Sequence, residues 1–143
     1  MTSYAEIFNE ALRKCDDPSL AHWPEEDLSN ELYGWLKSAM AKLPQLRAET
    51  TDRDAFEADK ADTLGFAMDL SDVTKEVLAL GMAREWLAPQ IASTTLTQQR
   101  FSKKEGYSQR EFLSGLMELD EKYKLEIRKL LRDNTYIDNE YFD

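Results

Sequence analysis

The chain is predicted to be all-α: a small helical bundle with one long C-terminal helix over about 108–133, a loop or extended arm around 46–70, and an extended C-terminal tail. Three observations predict it. Apolar residues recur at steps of three and four in separate stretches, and serine–glutamate capping signals stand ahead of two of those stretches. Period-two alternation is confined to a weak instance at Thr63–Leu70. At 143 residues, 42% hydrophobic and 10% aromatic, the chain suits one domain with a real core. The expectation is a single helical domain over 1–143, with 134–143 as its tail.

Ser3-Tyr4-Ala5-Glu6 has the form of a capping box. A helix is expected from there to about Lys14, with Tyr4, Ile7, Phe8, Ala11 and Leu12 on one face, and Asp16-Asp17-Pro18 ends it. Pro24 suits the first position of a second helix, and Glu25, Glu26 and Asp27 fall where the helix dipole favours negative charge. Leu28, Leu32, Trp35, Leu36, Ala39, Met40 and Leu43 continue the apolar spacing until Pro44. From Leu46 to Asp62 the pattern fails, Phe56 being the one large apolar group, so a loop or a short helix is expected there. Thr63–Leu70 reads as an extended arm.

Asp69 or Ser71 can cap the third helix. Within it, Glu76–Ile91 holds ten apolar side chains. On the wheel of the whole helix Val73, Val77, Leu80, Leu87 and Ile91 fall on one side, and Leu78, Met82 and Trp86 almost opposite. Gly81 costs about 1 kcal/mol of helix propensity, which makes sense where another backbone approaches closely. Pro89 removes a backbone donor and crowds the turn before it, so the helix is expected to kink or stop there. Ser93 to Gly106 reads as a polar connector. Ser108 and Glu111 then form a second capping box, with Tyr107 and Phe112 placed as a hydrophobic staple, which sets the start of the long helix. Its stripe is Phe112, Leu116, Leu119, Tyr123, Ile127 and Leu130, supported by the pairs Glu118/Lys122 and Asp120/Lys124. Beyond it, NTYIDNEYFD carries Tyr136, Ile137, Tyr141 and Phe142.

The formal net charge is −10, and the excess is uneven: residues 1–70 hold seven Lys/Arg against fifteen Asp/Glu, residues 71–143 eleven against thirteen. Such a field repels phosphate backbones and argues against tight DNA or RNA binding. One cysteine, Cys15, excludes an intramolecular disulfide. No stretch approaches the roughly 18 apolar residues of a membrane span, and no signal-peptide layout stands at the N-terminus, so an intracellular origin is expected.

One histidine, His22, and one cysteine supply neither a zinc cluster nor a nucleophile and base pair. There is no glycine-rich phosphate loop. The acidic pairs Asp16/Asp17 and Glu25/Glu26 are better explained as helix ends than as Mg²⁺ ligands. Asp52, Asp54, Asp59 and Asp62 lack the glycine and the bidentate glutamate of a calcium loop. No catalytic residue, cofactor or metal is therefore expected.

The two-sided helix admits two readings. It could sit at the centre of a self-contained bundle, or it could be covered by another subunit, together with the long charged helix and the aromatic tail. The second reading makes Trp86, Leu87, Pro89, Phe112, Tyr136, Ile137, Tyr141 and Phe142 the candidate interface.

The pattern Asp69-Leu70-Ser71, Glu76-Val77-Leu78-Ala79, Met82, Glu85-Trp86-Leu87-Ala88-Pro89-Gln90-Ile91, then Tyr107-Ser108-Gln109, Glu126-Ile127-Arg128 and Arg132-Asp133-Asn134-Thr135-Tyr136 resembles the head-tail connector proteins of long-tailed double-stranded DNA bacteriophages, the neck adaptor or head-completion proteins. The resemblance covers about residues 66–137; the acidic first half matches only in being helical. It implies a structural virion protein of the neck, assembled in the bacterial host cytoplasm, with no enzyme activity. Its partners would be further copies of itself in a ring, commonly of twelve, the portal protein, and a stopper or tail-completion protein. Genomic DNA would pass through without specific binding, and no membrane is involved. The alternative from the residues alone is a monomeric acidic regulator or DNA mimic that binds a nucleic-acid-binding partner.

Overall fold

The computed structural model describes residues 1–15, 17–98 and 103–134. Among them are four α-helices: α1 (Tyr4–Leu12), α2 (Glu25–Ala41), α3 (Asp72–Gln98) and α4 (Lys103–Asp133), with no β-strand. The all-α expectation holds, long C-terminal helix included.

Helix α1 starts where the capping signal places it, Glu6 N donating to Ser3 Oγ at 3.3 Å. The reciprocal half of the box is absent, because the Glu6 carboxylate turns to Lys75 Nζ at 2.8 Å on α3. Tyr4, Ile7, Phe8 and Ala11 are buried. Pro24 is the residue before α2 rather than its first position, and α2 ends at Ala41, ahead of Pro44. Leu32, Leu36 and Ala39 fill the core side of α2 at helical spacing.

Residues 46–70 are mostly irregular, with a short 3-10 turn at Ala58–Lys60 following another at Pro44–Leu46. This segment lies on the body instead of reaching away from it. Tyr4 N donates to Leu64 O, Phe66 N to Thr2 O and Arg53 N to Gly65 O, each at 3.0 Å. A β-carbon at Gly65 would stand 2.0 Å from Thr2 O, so only glycine allows this approach. Phe66 is fully buried, and the Phe56 ring stacks on Tyr33 at 4.0 Å between centroids while meeting Tyr4 edge-on at 5.5 Å. The isolated aromatic of a polar stretch is thus one wall of a five-ring cluster with Tyr4, Phe8, Tyr33 and Phe66.

Helix α3 is the axis of the molecule. Ser71 Oγ caps it by accepting from Thr74 N at 3.2 Å, whereas Asp69 pairs with the amine of Met1. Every residue from Val77 to Ala83 is buried, because α1, α2 and α4 all pack on it. A β-carbon at Gly81 would come within 2.8 Å of Ala39 Cβ on α2, which is the close approach the glycine implied.

Two boundaries differ from expectation. Helix α3 does not stop at Pro89 but continues to Gln98, and α4 begins at Lys103, so most of the expected polar connector is helix. The Ser108 capping box therefore lies inside α4. The physical reason is the hairpin: the two helices run antiparallel side by side, and tertiary support carries both ends past the local stop and start signals. At about 1.5 Å per residue, α3 and α4 are roughly 40 and 46 Å long against about 26 Å for α2. The expected tail, but for Asn134, lies outside the described residues.

Candidate functional site

Trp86 and Leu87, expected at an interface between copies, are buried within the single chain. Trp86 is 8% exposed and Leu87 not at all. Cys15, Leu20 and Ala83 surround them in a second small core, and the Trp86 indole donates to Asp17 Oδ2 at 3.3 Å. Tyr123 of α4 closes this core, its hydroxyl donating to Lys14 O at 3.1 Å. The chain itself covers both sides of α3, which is the self-contained reading of the two-sided helix. Pro89 and Phe112 are exposed, Phe112 to 56%. Tyr136, Ile137, Tyr141 and Phe142 lie outside the described residues.

The small core also fixes the chemistry of its polar members. Burial, with the Asp17 charge added, pushes the Cys15 thiol up to about 12. A thiol held neutral is a poor nucleophile, so Cys15 acts as a small apolar filler. Asp17 is held below the usual carboxylate range by its bonds from Ser19 and then Trp86. Among the described residues no three His, Cys, Asp or Glu side chains converge as a metal site requires, and no helix is long and apolar enough to cross a membrane.

What the structure leaves open is the far half of the α3–α4 hairpin and a groove beside it. Past Leu87, α3 turns outward-facing: Ala88, Pro89, Ala92, Ser93 and Thr95 are exposed. On α4, Phe112 and Met117 are each more than half exposed. Phe112 shares the apolar stripe of α4 with the buried Ile127, yet its ring is more than half exposed.

The groove, about 510 Å³, runs between the end of α2 and the facing sides of α3 and α4. Leu43, Ala88, Ile91, Ile127 and Leu131 supply its apolar surface. Arg84 binds Asp120 through two bonds, Nε to Oδ1 at 2.9 Å and Nη2 to Oδ2 at 3.3 Å, clamping α3 to α4. That bond raises the Arg84 guanidinium further above its already high range. Lys42 reaches from α2 to Glu85, and Lys124 and Arg128 complete the wall. Asp120 is thus taken by Arg84 rather than by Lys124, and the expected pairs Asp120/Lys124 and Glu118/Lys122 do not form. The sequence signal for this groove is weak: basic residues on α4 alternate with acids, the pattern of ion pairing along a helix surface. Chemically, it is suited to binding a segment that carries both apolar and acidic groups.

Family models, curated proteins and solved structures gave no match to this chain.

Proposed function

We propose that the chain is a structural subunit of a phage neck, an adaptor whose copies form a ring between the portal and the stopper or tail proteins around the DNA channel. The observation that carries this reading is the far half of the α3–α4 hairpin, a pair of long helices on which Phe112 and Met117 are each more than half exposed. Apolar groups displayed on a rigid helical extension are what heterologous ring contacts use. The residue pattern from Asp69 to Tyr136 supports the same reading, and the net charge of −10 suits a channel along which DNA slides without sticking. Loss of Trp86 and Leu87 from the surface narrows the ring contact to the hairpin end and residues 134–143.

The test is assembly on a portal. The chain is mixed with the purified portal protein of the same genome, and complexes are counted by electron microscopy and native mass spectrometry. A ring of this chain seated on the portal is expected. A chain that stays monomeric and ignores the portal sinks the proposal.

The burial of Trp86 favours one second reading, a self-sufficient monomer acting as an acidic regulator. It requires a tight one-to-one complex with a nucleic-acid-binding protein, displaced by DNA.

A further inference from the structure

The groove between α2, α3 and α4 is basic in an acidic molecule. Its floor of Leu43, Ile127 and Leu131 is already buried in the core, so what it offers a partner is its rim. There Glu85 and Asp120 are engaged by Lys42 and Arg84, whereas Lys124 and Arg128 hold no carboxylate among the described residues. Beside them Ala88 and Ala92 of α3 are exposed. From Lys122 to Arg132, α4 carries five Lys or Arg against Glu126 alone, in a chain of formal net charge −10. That net charge repels a phosphate backbone, so the polyanion this rim fits is an acidic protein surface.

The chain displays one at the other end of α2. Glu26, Asp27 and Glu31 are exposed and hold no cation among the described residues. The Trp23 ring, 40% exposed, lines one shallow depression with Asp27 and Glu31. The helix dipole accounts for acids in the first turn of α2, but not for Glu31 in the second. Glu31 accepts from Trp35 Nε1 at 3.1 Å, which leaves its charge unpaired. Tryptophan is a side chain that protein interfaces favour. Within one chain the two surfaces cannot meet. Asp27 and Lys42 stand fifteen residues apart along α2, about 22 Å and more than twice the roughly 10 Å over which salt leaves a charge felt.

We propose that copies of this chain associate head to tail, with Trp23 and the carboxylates of Glu26, Asp27 and Glu31 of one copy seated on Lys124 and Arg128 at the groove rim of the next. The two surfaces differ, so each contact leaves a free α2 start at one end and a free groove at the other. Copies therefore add one by one, to a closed ring or an open filament according to the rotation at each step. The charge pairs are exposed, screened by salt and individually weak, so they set the direction of the contact more than its strength. This contact uses neither Phe112 nor Met117 and needs no portal, so it goes beyond the adaptor reading and is tested apart from it.

Sedimentation velocity on the full chain tests it without any partner. At low salt the mass is expected to rise past the dimer between micromolar and millimolar concentration, and to return to the monomer in about 1 M salt. Lys124→Glu with Arg128→Glu closes the groove to acids, and Glu26→Gln with Asp27→Asn and Glu31→Gln discharges the start of α2. Each variant alone is expected to be monomeric, with the circular dichroism of the unaltered chain. Mixed in equal parts, they retain one working surface of each kind, so a one-to-one dimer that grows no further is expected. Carbodiimide coupling of the unaltered chain, which depends on no variant, should join Lys124 to Glu26, Asp27 or Glu31 in products of dimer mass or above. Lys14 joined to Glu76, whose charged atoms stand 2.6 Å apart, is its internal control. An unaltered chain that stays monomeric at millimolar concentration in low salt overturns the proposal. So does association that either folded variant leaves unchanged, a mixture that stays monomeric or grows past the dimer, or control product without the Lys124 join.

Discussion

Single residues carry the tightest constraints. At Gly81 the added β-carbon of alanine would meet Ala39 Cβ at 2.8 Å, between two packed helices that cannot easily separate. Gly81→Ala gains about 1 kcal/mol of helix propensity and loses about 1–3 kcal/mol to overpacking. Net destabilisation is expected in urea unfolding, and it should shrink when Ala39→Gly is added, since that removes the atom in conflict. Cys15 gives a pH-dependent counterpart. Its folded thiol is pushed up to about 12 from an ordinary value of 9.0. The contribution is fully present below pH 9, where folded and unfolded thiols are both protonated, and it is lost as pH rises through the folded value. Stability should therefore fall between about pH 9 and 12, with a smaller fall in Cys15→Ala. Alkylation of Cys15 at pH 8 should be slow in the folded chain and fast in urea. The need for glycine at position 81 was legible in the sequence, because a glycine inside an apolar helix has few other uses. The setting of Cys15 was not, because Trp86 and Tyr123 close on it from α3 and α4, far along the chain from its own neighbours Asp17 and Leu20.

At the scale of elements, cap residues separate the boundaries that local chemistry decides from those that packing decides. Ser3 and Ser71 each accept a backbone N–H at the start of a helix, so Ser3→Ala should cost about 1 kcal/mol. Ser108 has the same sequence signature but an interior helix position, so Ser108→Ala should cost nothing and gain up to ~0.5 kcal/mol in thermal unfolding. A cost near that of Ser3→Ala would instead return the start of α4 to Ser108. The number, order and faces of the helices could be read from apolar spacing, since α1 to α3 bury the residues that spacing selected. The ends of the hairpin could not: Pro89 and the Thr, Gln and Lys run after it are stop signals only for a helix standing alone. Likewise Phe56 lay in a stretch without periodicity, and only its stacking on Tyr33 shows that the irregular segment is tied to the core.

For the whole molecule the deciding question is which apolar surface one chain leaves uncovered, and two substitutions divide it. Trp86 closes the small core, so Trp86→Ala should cost about 3–5 kcal/mol and lower the unfolding temperature of the isolated monomer. Phe112 stands 56% exposed near the hairpin end, so Phe112→Asp should leave monomer stability within about 0.5 kcal/mol. If rings form through the hairpin, Phe112→Asp should abolish portal-dependent assembly in a monomer of unchanged circular dichroism and unfolding temperature. A less disruptive change at the buried core, Leu87→Met, should leave assembly intact, because Leu87 touches no surface. The reverse result, assembly lost with Leu87→Met and kept with Phe112→Asp, would mean that the chain opens its second core when it associates. The hairpin would then not be the contact. The groove was invisible to the sequence reading for the same reason the burial of Trp86 and Leu87 within one chain was: apolar periodicity shows which side of a helix is buried, but not what covers it or how far along its length neighbouring helices reach.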